Sequence, residues 1–250
     1  MTDHVLVERP EAYPGVQVIR FNRPEKKNAI TRDMYAKMTN ALTVAGTDPA
    51  VRVTAFLGTL GCFSAGNDLG DFLAVAMGGS MGSDLLEFLR ALAGATKPIV
   101  SGVDGLAIGI GTTIHLHCDL TVASTRSLFK TPFVDLALVP EAASSLLAPR
   151  IMGHQRAFAL LAAGEPLEAA EALKAGLIWK IVDKEAVEDE TLSLAARLAK
   201  KPPEALRIAR DLIRGDRQDV LARIDEEAEH FAAQLKSAEA RAAFEAFMRR

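Results

Sequence analysis

Glu141 is the residue of this chain best suited by type and surroundings to act as an acid or a base. It follows Pro140 and stands between the apolar residues Val139 and Ala142. Apolar surroundings raise the pKa of a carboxyl group and make it a better base near neutral pH. The same position fits an ordinary first-turn glutamate that favours the helix dipole. Spacing alone favours the ordinary glutamate, so a catalytic role needs support from the rest of the chain.

Two glycine-bearing turns upstream of Glu141 have the composition of an anion-binding site. The first spans Gly61–Leu69, and the second spans Asp104–Thr113, directly before a predicted helix. Small residues let backbone N–H groups approach a ligand, and free N–H groups at a helix start favour a negative oxygen. Asp68 can cap the first turn and fix the direction of its N–H groups. Two N–H donors aimed at one carbonyl oxygen would form an oxyanion hole.

Other kinds of chemistry are less well supported. The second turn matches neither a dinucleotide fingerprint nor a P-loop. His115 and His117 are two residues apart, on different sides of a predicted helix, so they cannot form an i, i+4 metal pair. Ser144-Ser145 lacks the G-x-S-x-G pattern of a serine hydrolase. Asp135 could serve as an acid, but a solvated loop position is the simpler interpretation.

The composition argues against several classes of partner. The chain has 250 residues, 49% of them hydrophobic, and a formal net charge of -3, without the basic patch of a nucleic-acid binder. No stretch approaches the ~18 uninterrupted apolar residues of a membrane span. Cys62 and Cys118 are too few for a disulfide framework, which indicates a reducing compartment. With no secretory signal at the start and no terminal Ser-Lys-Leu, we expect a cytoplasmic protein without nucleic-acid or membrane partners.

Strand-like and helical segments alternate through the first three quarters of the chain, which predicts an α/β layer architecture. The predicted strands are residues 5–7, 16–21, 51–57, 99–103, 120–123, 128–129 and 178–182. Thr31 and Ser83 are predicted helix N-caps, and a further helix is predicted over 112–118. From Ala142 onward the pattern is mostly helical. A glycine-rich segment at 78–82 is interpreted as an ordinary loop, with a lid beside a pocket as the alternative.

Four segments, in this order, resemble the crotonase family, the enoyl-CoA hydratases and isomerases. They are Phe21–Ile30, Phe63–Leu69, Lys97–Val100 leading into Gly105–Gly111, and Ala172–Ile178. The resemblance covers nearly the whole chain and implies a crotonase-type spiral of ββα turns followed by a helical C-terminal trimerisation region. We therefore expect a spiral core with an acyl-CoA site over 1–190 and a helical region over 191–250. A homotrimer or a dimer of trimers is also implied.

The resemblance implies an acyl-CoA thioester as substrate and assigns the residues that hold it. Matching the loops gives the backbone N–H groups of Asn67 and Ile110 the role of an oxyanion hole. The family more often has glycine at the position of Ile110, and isoleucine keeps the N–H but narrows the pocket. The other substrate-binding positions are Ala65, Gly66, Asp68, Leu69, Gly109 and Phe133. Coenzyme A is part of the substrate, so no separate cofactor and no metal are expected.

Departures from the family pattern bear on the reaction. Family hydratases carry two glutamates that position and activate water, and this chain has Thr113 and Phe133 at those positions. The segment from Lys130 to Glu141 is instead similar to the peroxisomal-type Δ3,Δ2-enoyl-CoA isomerases, whose single catalytic glutamate matches Glu141. The resemblance therefore predicts an isomerase that moves a double bond from the 3- to the 2-position by proton transfer through Glu141.

Two alternative functions remain beside the isomerase prediction, and the sequence differs from the isomerase pattern at one further place. Another crotonase-family reaction, such as hydration or ring-opening of an acyl-CoA with help from Asp135 or an unexpected group, is the first alternative. The second is a non-catalytic acyl-CoA-binding or assembly protein, since fold does not establish function. The departure is Ala142-Ala143, where the isomerase branch commonly has glycine after the glutamate. Alanine restricts the turn that follows the base.

Overall fold

Two β-sheets organise the chain, as seen in a computed structural model that describes residues 3–71 and 82–248. The strands are β1 Val5–Glu8, β2 Val16–Phe21, β3 Val53–Leu57, β4 Cys62–Ser64, β5 Ile99–Val103, β6 Leu106–Ile108, β7 Leu120–Ser124, β8 Leu128–Lys130, β9 Leu167–Glu168 and β10 Lys180–Val182. The larger sheet has the order β1-β2-β3-β5-β7-β10, and the smaller has the order β4-β6-β8-β9. The predicted α/β architecture is confirmed.

Helices cover both sheets and make up most of the C-terminal part. They are α1 Arg32–Thr47, α2 Asp84–Gly94, α3 Ile110–Thr113, α4 Ser144–Met152, α5 His154–Leu161, α6 Ala169–Ala175, α7 Val187–Ala199, α8 Pro203–Arg214, α9 Arg217–Leu235 and α10 Ala238–Met248. The predicted N-cap Thr31 is confirmed, because its hydroxyl accepts a hydrogen bond from the N–H of Met34. Ser83 holds the N-cap position of α2 without a side-chain capping bond.

The repeating unit places one strand in each sheet. β3, β5 and β7 run parallel in the larger sheet, and each is followed by a short strand of the smaller sheet, where β4, β6 and β8 are again parallel. The carboxyl ends of adjacent parallel strands meet at one edge of a sheet. The segments that follow β4 and β6, residues 65–69 and 109–113, therefore lie side by side.

One core fills the space between the sheets, α1, α2 and α9. Its largest side chains include Phe21, Phe56, Phe63, Phe88 and Phe129. On the other face of the larger sheet, valines and alanines pack against apolar residues of α7. A sheet covered on both faces explains why its strands read as continuous apolar runs. No helix within 3–71 and 82–248 is long and apolar enough to cross a membrane.

Several predicted elements differ from those observed. β4 and β6 fall inside segments read from the sequence as glycine turns, because three residues next to glycine carry too little periodicity to predict a strand. The helix predicted over 112–118 is α3 followed by a 3-10 turn over Ile114–His117. The predicted division between 190 and 191 falls within α7 and stays a prediction. In the candidate lid, residues 78–81 lie outside the described residues.

Candidate active site

Glu141 lies in a buried turn, three residues before α4 begins at Ser144. Its side chain is 2% exposed. Thr113, at the end of α3, donates a hydrogen bond of 2.6 Å from Oγ1 to Glu141 Oε1. Among the described residues, the buried Oε2 atom has no hydrogen-bond partner. The interpretation of Glu141 as an ordinary first-turn glutamate is therefore wrong, because the residue precedes the helix and its carboxyl is shielded from water.

Burial raises the pKa of Glu141 from 4.5 to about 8. The negative charge of Glu227 raises this pKa further, whereas the hydrogen bond from Thr113 lowers it. A general base works best when its pKa lies near the operating pH. Both protonation states of Glu141 are therefore populated near neutral pH, as a group that accepts and returns a proton requires.

The turn after Glu141 has a backbone conformation that glycine normally occupies. Ala142 and Ala143 have φ values of 62° and 53°, and both are fully buried. A left-handed conformation costs an alanine roughly 1–2 kcal/mol. Neighbours hold the turn, since Ser144 N–H donates to Glu141 O at 3.1 Å and His117 Nε2 lies 2.7 Å from Ala142 O. The alanines thus keep the turn at the cost of backbone strain.

The two glycine turns pack directly against each other. Gly66 and Gly109 have φ values of 90° and 56°. A Cβ on Gly66 would lie 2.9 Å from Ile108 O, and one on Gly109 would lie 3.9 Å from the Gly66 Cα atom. A side chain at Gly66 would push the turns apart, whereas one at Gly109 would only contact the first turn, and its positive φ is what favours glycine there. Glycine therefore brings the peptide units that lead into Asn67 and Ile110 together.

The N–H groups of Asn67 and Ile110 are both unused within residues 3–71 and 82–248. Asn67 forms a parallel bridge with Ile30, in which the bonds are made by the neighbouring Gly66 O and Asp68 N. The Asn67 N–H therefore points away from Ile30. Ile110 is the first residue of α3, where a helix leaves its N–H groups without internal acceptors. Their role as an oxyanion hole stays a prediction.

Helix α3 connects these N–H groups to the carboxyl. Ile110 begins this one-turn helix and Thr113 ends it, with Thr113 N–H donating to Gly109 O at 3.0 Å. The hydroxyl of Thr113 then reaches Glu141. The structure thus places the Ile110 N–H at one end of α3 and the candidate base at the other.

Tyr35, on α1, is a site residue that the sequence did not indicate. Its hydroxyl donates a hydrogen bond to Asn67 Oδ1, so α1 holds the first loop in place. Burial, and then the charge of Glu141, raise the pKa of Tyr35 well above its usual value. A tyrosine on the buried face of a helix needs a hydrogen-bond partner for its hydroxyl, and this need was the available signal in the sequence. The pattern of α1 could not show that the partner is Asn67.

The remaining predicted site residues line the loops or the core. Asp68 accepts hydrogen bonds from Gly70 N–H at 2.9 Å and Arg23 Nη1 at 2.6 Å, so it shapes the first loop as predicted. Ala65 N–H donates to the Lys27 carbonyl at 2.9 Å. Leu69 is half-buried against the core and Phe133 is buried within it. The substrate-binding roles of Ala65, Gly66, Asp68, Leu69, Gly109 and Phe133 stay predictions.

The other candidate chemistry does not converge on this site. Asp135 is exposed, as its interpretation as a loop residue predicts. His115 is buried between aromatic rings, with its pKa lowered to about 3 by burial. Cys62 and Cys118 are free thiols. In the described part of the chain, no group of three His, Cys, Asp or Glu side chains could hold a metal ion.

Comparison with known proteins extends over almost the whole chain. The family profile described as enoyl-CoA hydratase/isomerase matches residues 11–250. Enoyl-CoA delta isomerase 2 of Rattus norvegicus is 38% identical over 85% of this chain and 56% of that protein. Enoyl-CoA delta isomerase 3, peroxisomal, of Mus musculus is 37% identical over 89% of this chain and 71% of that protein. The chain thus spans about half the length of the rat relative.

Solved structures show the same arrangement of sheets and helices. The crystal structure of an enoyl-CoA hydratase/isomerase from Pseudoalteromonas atlantica T6c superposes with a TM-score of 0.92 and 37% identity. The likeness covers 99% of this chain and 97% of that one. It confirms the fold class predicted from the sequence, a spiral of strands and helices that ends in a helical C-terminal region.

Proposed function

Because this chain belongs to the enoyl-CoA hydratase/isomerase family, we propose that it is an isomerase that converts a 3-enoyl-CoA thioester into the 2-enoyl isomer. One observation carries the proposal: the buried carboxyl of Glu141 is joined through α3 to the Ile110 loop, which packs against the Asn67 loop, and each loop offers an unused N–H group. Two relatives at 38% and 37% identity are named as enoyl-CoA delta isomerases, which supports the same reaction.

The proposed reaction moves one proton. Glu141 takes a proton from C2 of the acyl group, the electron pair shifts to give a dienolate, and the protonated carboxyl returns the proton to C4. The double bond moves from C3–C4 to C2–C3 with no change in composition, so no oxidant, reductant or separate cofactor is required. Thr113 occupies Oε1, and Oε2 is therefore the atom that exchanges the proton.

The N–H groups of Asn67 and Ile110 stabilise the charge that develops on the thioester oxygen of the dienolate. Removing one such donor typically costs ~3 kcal/mol of transition-state stabilisation, or roughly a hundredfold in rate. The close approach of Gly66 to the Ile108 carbonyl holds the two loops, and with them both donors, together before substrate arrives. Donors that are already oriented need no reorganisation during the reaction.

Hydration is less well supported by the same site. Of the two hydratase positions, Thr113 holds Glu141 and Phe133 is buried in the core, so neither supplies a second carboxylate. Asp135 is exposed in a short 3-10 helix, Val134–Leu136. A buried carboxyl with a raised pKa is typical of active sites, which favours a catalytic over a non-catalytic protein. Both observations favour proton transfer.

We also propose that the chain assembles as a homotrimer or a dimer of trimers. Leu212 and Ile213 on α8 are 78% and 86% exposed in the single chain, and burial against another copy would remove this apolar surface from water.

The mouse relative is named as peroxisomal. A cytoplasmic location for this chain stays a prediction.

The decisive experiment supplies purified protein with 3-enoyl-CoA and 2-enoyl-CoA in separate reactions, with Glu141→Gln in parallel. We expect isomerisation by the wild type and a loss of 10²–10⁴-fold in the variant, the usual range for removing a general base. Unchanged isomerisation by Glu141→Gln would remove this residue as the base. Efficient hydration of 2-enoyl-CoA would favour the hydratase alternative. Binding of acyl-CoA without C2 hydrogen exchange in deuterated water would favour a non-catalytic role.

A further inference from the structure

Glu227, on the C-terminal helix α9, reaches the turn that carries Glu141. It is 6% exposed. Its Oε1 atom accepts hydrogen bonds from Ser145 N–H at 3.0 Å and from Ser145 Oγ at 2.5 Å. Its buried Oε2 atom has no partner among the residues described. The carboxyl of Glu227 thus contacts the start of α4, although Glu227 lies 82 residues after Ser145 in the sequence.

The start of α4 lacks a cap of its own. Its N-cap residue is Ala143, which has no polar side chain and sits in a left-handed conformation. Helices leave their first N–H groups unsatisfied, and a nearby negative charge stabilises this end. Glu227 supplies both the missing acceptor and the charge at Ser145. The Nε2 atom of His117 also contacts this turn, 2.7 Å from the carbonyl oxygen of Ala142.

We propose that Glu227 is a positioning residue: it fixes the turn that carries Glu141 and places a second negative charge near this base. The inference rests on the proposed function, since it gives a role to a residue that does not contact the reacting atoms. The path from Glu227 to Glu141 is short, because Ser145 N–H donates to Glu227 Oε1 at 3.0 Å and the adjacent Ser144 N–H donates to Glu141 O at 3.1 Å. The repulsion between the two carboxylates favours a protonated Glu141.

The charged and titratable groups around this pair come from several elements. Burial raises the pKa of Glu227, whereas the hydrogen bonds from Ser145 and the charge of Arg223 on α9 lower it. Arg223 also donates to Ser145 Oγ at 3.0 Å. Tyr35, on α1, is neutral because burial raises its pKa well above the usual value. His117, in the 3-10 turn after α3, has its pKa lowered to about 4 by burial. Glu227 is therefore the charge among the described residues that raises the pKa of Glu141. Two interacting carboxyls titrate as a pair.

Glu227→Gln tests the effect of charge, because glutamine keeps the size and the acceptor for Ser145. The readout is the ¹³C titration of glutamate side-chain carboxyls, with the Glu141 signal assigned by its absence in Glu141→Gln. We expect the Glu141 midpoint to fall by about 0.5 pH unit or more, the size of one like charge acting across several ångströms of protein. Glu229→Gln, the same change at an exposed position of α9, should leave the midpoint unchanged.

Glu227→Asp and Ser145→Ala test the effect of position. Aspartate keeps the charge but withdraws it from Ser145, and Ser145→Ala removes the hydroxyl partner while both carboxyls stay. We expect kcat for isomerisation to fall about three- to tenfold in each variant, with KM within about twofold of the wild type. The acid limb of the plot of kcat against pH should shift less than it does in Glu227→Gln. Circular dichroism verifies that each variant is folded.

The inference is overturned if Glu227→Gln matches Glu229→Gln in both the Glu141 midpoint and kcat, or if Glu227→Asp and Ser145→Ala keep the wild-type kcat. The carboxyl titration needs no turnover. A wild-type chain that does not isomerise 3-enoyl-CoA would contradict the proposed function. The midpoint difference between Glu227→Gln and Glu229→Gln would still decide whether Glu227 acts on Glu141.

Discussion

The hydroxyl of Thr113 donates a 2.6 Å hydrogen bond to Oε1 of Glu141. Thr113 stands where the hydratases that this chain resembles carry a glutamate, and here the position supports the single acid. The bond occupies one carboxyl oxygen and leaves Oε2 as the atom that can exchange a proton. It also favours the ionised form and so opposes the effect of burial on the pKa of Glu141.

Replacing Thr113 with valine should slow isomerisation and move its pH dependence. Valine has nearly the shape of threonine but cannot donate, so the pKa of Glu141 should rise further. A hydrogen bond to a charged group contributes about 1.5–3 kcal/mol, which corresponds to a loss of roughly tenfold or more in kcat/KM. The measurement is kcat/KM against pH. Thr113→Ser keeps the hydroxyl and should retain most activity, and an equal loss in both variants would contradict this role.

The rate should increase with pH through the pKa of Glu141. The base must be ionised to accept a proton, and its pKa is raised to about 8. Well below this pKa the ionised fraction falls tenfold per pH unit, so log kcat/KM should rise with a slope near one from about pH 6 to pH 7 and level off above about pH 8. The profile is measured with 3-enoyl-CoA well below KM. A profile that is flat across this range would show that Glu141 is not the titrating base.

Glu141→Gln should stabilise the fold at alkaline pH. The folded protein holds a proton on Glu141 up to about pH 8, whereas the unfolded chain releases it near pH 4.5. Between these values the folded state binds more protons, so wild-type stability falls as pH rises. Each pKa unit corresponds to about 1.4 kcal/mol, so a gain of a few kcal/mol is expected at pH 9. Denaturant unfolding at pH 5 and pH 9 checks this, and an equal gain at both values would point to another cause.

Gly66→Ala should disturb the paired loops and the predicted oxyanion hole. The added methyl group would lie 2.9 Å from the Ile108 carbonyl, and φ at this position is 90°, so the loops must move apart. Displacing one N–H donor should lower kcat by roughly a hundredfold. Gly46→Ala, in α1 with nothing within 4 Å of the added atom, is the matched control and should keep full activity. Similar kcat values for Gly66→Ala and Gly46→Ala would show that the contact between the loops does not contribute to catalysis.

Part of this fold follows from local sequence. The predicted strand over 16–21 and the strand over 99–103 match β2 and β5 residue for residue, because both segments are rich in the valine and isoleucine that buried strands favour. β4 and β6 did not emerge from their three-residue segments. They form because neighbouring strands of the spiral supply the hydrogen bonds, and local propensity does not contain those partners.

The sequence by itself located the glycines at which the two loops turn, Gly66 and Gly109, and identified Glu141 as the acid downstream of them. Turn and helix-start preferences are local, since they depend on backbone sterics and on donors a few residues away. Only the tertiary structure decided that Glu141 is buried, that Thr113 holds it and that Glu227 acts on it. The pKa of a carboxyl depends on solvent exclusion and on charges brought by distant elements, so the residues that tune it become visible only when α3, α4 and α9 meet.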